Sequence, residues 1–172
     1  MRNIDFTNYL EELPTLIENK NETVMVTSQD TCILQGENGY NAVNDVPVYK
    51  THDFGGSIVN FKEDVCVCNY QTDLNSFGDD LMDLLVVYFK RRGLNAERDG
   101  NDILVDEDYK VASYMSEKIN GCIYTAAHIS VGMDLNIIER VCTKEMIKIP
   151  KGLLDYGITQ QDIISLIERE VR

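Results

Sequence analysis

From Glu22 to Tyr70 the sequence is a succession of short apolar and β-branched runs, each broken by Gly, Asn, Asp or a charged turn. The runs are ETVMVTS (22–28), TCILQG (31–36), VPVYK (46–50), SIVNF (57–61) and VCVCNY (65–70). Runs of this length and composition read as strands of a mixed or antiparallel sheet. A helix is expected from Ser76 to Arg92, where Leu81, Leu84, Leu85, Tyr88 and Phe89 form one stripe. Asp79, Asp80 and Asp83 suit its positive amino end and Gly93 its carboxyl cap. NDILVDEDYKVASYMS (101–116) reads as a hairpin around an acidic turn, and CIYTAAHISVGMDL (122–135) as a further strand. A second helix follows Thr159, an N-cap with Asp162 three residues on, and buries Ile163, Ile164, Leu166 and Ile167. An amphipathic helix is expected over 5–18 from Phe6, Leu10, Leu13 and Ile17, kinked or divided at Pro14. The expectation is an α+β protein: a mixed, largely antiparallel sheet with packed helices.

The chain shows no repeat, low-complexity segment or linker, so residues 1–172 are expected to form a single domain. A net charge of −13 repels phosphate backbones and anionic lipid, which argues against nucleic-acid and membrane-surface partners. Such a surface is well solvated, and it would also suit a basic partner. No stretch approaches the roughly 18 apolar residues of a membrane span, and MRNIDFTNYLEEL has no run suited to a signal peptide. A cytoplasmic setting with reduced thiols is therefore expected for Cys32, Cys66, Cys68, Cys122 and Cys142. On a strand Cys66 and Cys68 share a face, but no second pair of Cys or His completes a metal site.

Two segments carry a family pattern. The first is GNDILVDEDYKVAS (100–113) followed by HISVGMDL (128–135); the second is TCILQGENGYNAVNDVPVYKTHDFGGSIVNF (31–61). Together they resemble the lipoate–protein ligases and octanoyltransferases. The shared pattern is an Asn-Asp before an apolar strand, an acidic turn, a Lys-Val-Ala/Ser strand and a strand ending in Asp-Leu, preceded by a glycine loop. Biotin–protein ligases share the Asn-Asp and Lys elements, so the resemblance is to the whole biotin/lipoate ligase catalytic-domain superfamily, and this chain looks like a small, divergent member.

The resemblance implies transfer of a lipoyl or octanoyl group to a lysine of a lipoyl-type carrier domain. Either ATP with Mg²⁺ activates the acid as an acyl-adenylate, or the acyl group arrives on an acyl carrier protein. It implies that Lys110 touches the acyl carbonyl and adjacent phosphate, where an ammonium would stabilise developing negative charge. It implies that Asn101 and Asp102 meet phosphate or Mg²⁺, with Asp102 a hard-cation ligand. It further implies that Lys50, Gly55, Gly56, Ser57 and Ser113 line the ligand site, glycine letting backbone N–H groups approach. Taken alone, Gly55-Gly56 is equally a turn, Asn101-Asp102 a turn entering a strand, and Lys110 an edge-strand lysine.

The chain also departs from the pattern. The family's Arg-Arg pair is Lys50-Thr51, its glycine loop is Asp53-Phe54-Gly55-Gly56, and its histidine after that loop falls near Asn60. The thiol nucleophile of the octanoyltransferases has a counterpart in Cys142, in ERVCTKE, without the flanking Pro and Gly. These differences define an alternative: a catalytically inactive homologue repurposed to bind a ligand or a protein partner.

Overall fold

A computed structural model of the chain describes residues 1–5, 8, 11, 18, 22–35, 46–50, 57–71, 76–141 and 148–171, and of residues 34, 35, 49, 50 and 57 the backbone alone. Eight strands make the large sheet in the order β1-β2-β6-β10-β9-β8-β7, with β11 paired to β9. They are β1 (Arg2–Asp5), β2 (Glu22–Thr27), β6 (Val65–Gln71), β7 (Ala96–Asp99), β8 (Asp102–Val105), β9 (Tyr109–Ile119), β10 (Cys122–Ile129) and β11 (Ile149–Pro150). A separate three-stranded sheet runs β4-β3-β5, from β3 (Cys32–Gln35), β4 (Val48–Lys50) and β5 (Ser57–Asn60). The β-runs of the sequence thus belong to two sheets rather than to one sheet system.

The two sheets are joined by alternation. Cys32 pairs with Asn60 and Ile33 with Val59, so each pair lies on one face of the small sheet. Cys32 enters the cluster of Val24, Val26, Cys66 and Cys68 on the large sheet. Ile33 and Val59 instead pack with Ile138 and Val141 of helix α2 (Leu135–Val141). Leu135 therefore begins a helix, where the sequence suggested a strand continuing to that residue.

The opposite face of the large sheet carries the main core. Met25, Val65, Val67, Ala112, Ala127 and Ile129 meet Leu81, Met82, Leu85 and Phe89 of α1 and Ile163, Leu166 and Ile167 of α3. The helices α1 (Phe77–Arg91) and α3 (Gln160–Glu170) match the two expected from sequence. Gly93 takes φ 87 after α1, and Thr159 and Asp162 form the reciprocal capping box of α3. Gly78 lets α1 lie directly on Tyr114: a Cβ there would overlap the tyrosine ring. Of the helix expected over 5–18, Asp5 instead ends β1, Asn8, Glu11 and Glu18 are helical and exposed, and the rest lies outside the described residues.

Cys66 and Cys68 share a face, as the two-residue spacing requires. No helix among the described residues is long and apolar enough to cross a membrane.

Candidate functional site

β7, β8 and β9 are joined by two tight turns. Gly100 and Asn101 connect Asp99 to Asp102, whose residues pair across the turn, with Gly100 at φ 62. Asp106, Glu107 and Asp108 connect Val105 to Tyr109. A register shift between Ile103 and Leu104 re-aims this part of the ladder, so Asp102 pairs with Ser113 while Leu104 pairs with Lys110. The shift brings the motif residues together. Lys110 Nζ lies 2.9 Å from Asp102 Oδ1. β9 is interior to the sheet, so Lys110 is not an edge-strand lysine.

A second ammonium completes the cluster. Lys148 Nζ lies 2.6 Å from Asp102 Oδ2 and 2.7 Å from Asp99 Oδ2. Two lysines and two aspartates thus balance in charge. Partial burial acts to raise the Asp102 carboxyl, but the hydrogen bonds from Lys148 and then Lys110 outweigh it and hold the group below the ordinary carboxylate range. The same contacts, to Asp102 first and then Asp99, push the Lys148 ammonium up. Lys148 follows no motif in the sequence. It reaches the site because β11, immediately after it, pairs with Tyr109 and Lys110 of β9.

Asp102 does not fit a Mg²⁺ ligand in this arrangement. Such an ion asks for an octahedron of oxygens, and both Asp102 oxygens already accept from ammonium groups. Among the described residues no group of three His, Cys, Asp or Glu side chains is placed to hold a metal.

Residues paired directly across strands project on one face, and a row therefore crosses the sheet from Asp102 through Ser113 and His128 to Cys66. Nothing in HISVGMDL marks out His128. It is buried, with Nε2 3.0 Å from Asp64 Oδ2. Asp64, fully buried in the turn before β6, also accepts from Phe61 N at Oδ2 (2.9 Å) and from Val131 N and Gly132 N at Oδ1 (2.7 and 3.0 Å). Beside them, Cys66 Sγ lies 3.4 Å from Asn60 Oδ1. Burial pushes the Cys32 thiol up to about 12 and raises Cys66 well above its ordinary value, so neither is a ready nucleophile.

Of the remaining motif residues, Asn101 is exposed and its carbonyl accepts from Tyr114 N (3.0 Å). Ser113 is half-buried beside Asp102 and His128. Lys50 and Ser57 both pair with Gln35 through the backbone, on its two sides. Gly55, Gly56 and Cys142 lie outside the described residues, as do the departures Thr51, Asp53 and Phe54.

No family model and no curated protein matches the sequence. Solved structures match its fold. Plasmodium falciparum LipL1 in complex with lipoate superposes with a TM-score of 0.72 at 18% identity, over 98% of this chain and 60% of that one. Lipoate-protein ligase A bound with ATP gives 0.75 at 13%, over 97% and 80%. A bipartite lipoate protein ligase with its E2 lipoyl domain, from Thermoplasma acidophilum, gives 0.71 at 14%, over 98% and 80%. The chain thus spans less than two thirds of the LipL1 chain and about four fifths of the other two. With its mixed, largely antiparallel sheet and three described helices, the chain carries the fold of the lipoate–protein ligase catalytic domain.

Proposed function

We propose that this chain binds a lipoyl or octanoyl group, as acyl-adenylate or carrier thioester, at the sheet face around Lys110 and transfers it to a lysine of a lipoyl-type carrier domain. The observation that carries the reading is the fixed ammonium of Lys110, 2.9 Å from Asp102, where the Asn-Asp and Lys elements of the family pattern converge. An ammonium has three N–H donors, and among the described residues one is spent on Asp102. The others are available to an acyl carbonyl.

In the transfer the lone pair of the carrier amine forms a C–N bond to the acyl carbon, and the carbonyl pair moves onto oxygen. Lys110 donates to that oxyanion. The pair then returns and expels the leaving group, phosphate oxygen or thiolate, with its bonding electrons. Asp102 fixes the ammonium, and Lys148 compensates the carboxylate, so Lys110 keeps its donors in place without reorganising during the reaction. ATP enters as a substrate where the donor is the free acid, and its phosphates would face Lys110 and Lys148.

Calorimetric titration with a non-hydrolysable octanoyl-adenylate analogue tests the reading, comparing the wild type with Lys110→Ala. Saturable binding that the variant loses supports it. Equal binding by both proteins removes Lys110 from the site.

A second reading has its own observation. The Lys110, Lys148, Asp99 and Asp102 cluster is electrically balanced, so an anionic ligand gains no net attraction from it without breaking an ion pair. An inactive homologue that binds a partner protein through this fold is the corresponding alternative. Absence of binding for ATP, adenylate analogue and octanoate alike would favour it.

A further inference from the structure

We infer that His128, oriented by Asp64, accepts the proton released by the attacking amine in the transfer proposed above, on which this inference rests. Both Asp64 oxygens accept backbone N–H bonds, three in all, and the fourth direction meets His128 Nε2 at 3.0 Å. As a carboxylate Asp64 can only accept, and backbone N–H groups already take three of its acceptor directions. The hydrogen in the His128–Asp64 contact therefore sits on Nε2. A neutral ring held this way carries its lone pair on Nδ1, which among the described residues has no hydrogen-bond partner.

Position gives the lone pair a use. Asp102, Ser113 and His128 are in register on three adjacent strands. Neighbouring strands stand about 4.8 Å apart, so His128 is roughly 10 Å from Asp102 across one face. Only the small side chain of Ser113 stands between them in that row. Lys110, on the strand of Ser113, bends to Asp102 from the same side. In the proposed transfer the amine attacks the carbonyl held at Lys110 from the His128 side. The groups facing His128 are Asp64 from the turn, Cys66 on β6, which burial keeps protonated, and Ser113 on β9; Asp102 and Lys110 lie farther along the same face.

The proton balance follows. As the neutral carrier amine forms its C–N bond, its N–H proton passes to Nδ1 and the N–H electron pair stays on the amide nitrogen. The imidazolium is stabilised by Asp64. It then returns the proton to the departing thiolate, or to water when the leaving group is the phosphate of AMP.

Single-turnover transfer from octanoyl-adenylate to a lipoyl carrier domain, followed by mass spectrometry across pH, tests the assignment. His128→Gln should slow transfer by roughly 10²- to 10⁴-fold, with the KM for the adenylate within about twofold. Its pH–rate profile should lack one ionisation that the wild type has. Because a variant of a buried histidine can misfold, a second arm uses His128→Ala with added imidazole, which should restore rate, and a third reads the wild-type ring directly by ¹⁵N NMR, which should show the Nε2–H tautomer. Transfer by His128→Gln within about threefold of wild type, a loss that imidazole does not rescue, or an Nδ1–H tautomer overturns the assignment alone. Failure of the wild type to transfer from any donor, with the Nε2–H tautomer present, overturns the proposed function and the base role with it.

Discussion

Replacing Asp64 by Asn removes one charge and exchanges one acceptor for a donor, without changing shape. The amide oxygen is best kept where Oδ1 now accepts from Val131 N and Gly132 N. The amide nitrogen then faces Phe61 N–H, donor against donor, at a contact that is 2.9 Å in the native protein. One buried N–H left without an acceptor costs about 1–3 kcal/mol. The two surviving bonds lose their charge assistance, about 1 kcal/mol each. His128 can shift its proton to Nδ1 and accept from the amide at little cost. The expected loss is therefore about 3–5 kcal/mol, a large share of the roughly 5–15 kcal/mol that holds a domain of this kind together. Urea unfolding followed by circular dichroism reads it. With a slope near 2 kcal/mol/M the midpoint should fall by about 1.5–2.5 M at unchanged slope. Glu63→Gln, one residue away on a partly exposed side chain, should stay within about 0.5 kcal/mol. A loss below about 1 kcal/mol for Asp64→Asn would refute the reasoning, since the three N–H groups would then have other acceptors.

Three further outcomes follow from the same structure. Gly78→Ala should destabilise the protein by about 1–2 kcal/mol, because overlap with the Tyr114 ring outweighs the roughly 1 kcal/mol that alanine gains in a helix; a raised unfolding midpoint contradicts this. Cys32 and Cys66 should resist iodoacetamide at pH 8 in the native protein and react once it is unfolded in urea, since burial keeps both thiols protonated; rapid native labelling at either position, mapped by peptide mass, would count against it. Asp102, with its folded value depressed, contributes stability present above its unfolded value of about 3.9 and lost as pH falls through the folded value. The acid limb of the wild-type stability profile should therefore be steeper than that of Asp102→Asn, and parallel limbs would remove the lysine contacts as its cause.

Much of the fold was legible because its signals are local. The stripe from Leu81 to Phe89 and the Thr159–Asp162 capping box each specify a helix without reference to the rest of the chain. The same holds for β-runs such as VCVCNY. What local pattern leaves open is the partner of each strand. Nothing in TCILQG says that Cys32 faces one sheet while Ile33 faces a helix, so the division into two sheets emerges only from register. Leu135 carries an apolar side chain suited to either state, and Asp134, whose Oδ1 accepts from Asn136 N, starts the helix there. Ala96–Asp99, AERD, is too polar to read as a strand and is held by pairing with β8.

The candidate site divides in the same way. Asp102 and Lys110 lie on adjacent segments of one hairpin, so a family pattern in sequence sufficed to join them. Lys148 and Asp64 join the picture from far along the chain, through β11 and through the turn before β6, and no spacing rule links either to the motif. A buried aspartate next to a loop, as in KEDV, reads from sequence as a solvated turn residue. Its role appears only when Val131 and Gly132 return to it.

An acyl group whose carbonyl is seated at Lys110 should pass to a carrier lysine. The most direct measurement incubates the protein with octanoyl-adenylate and a lipoyl carrier domain, and weighs the carrier by mass spectrometry over time, for wild type and Lys110→Ala. The carrier should become heavier by one octanoyl group, with the rate lowered by roughly 10²- to 10³-fold in the variant. An unmodified carrier with the wild type, or equal rates with both proteins, would contradict it.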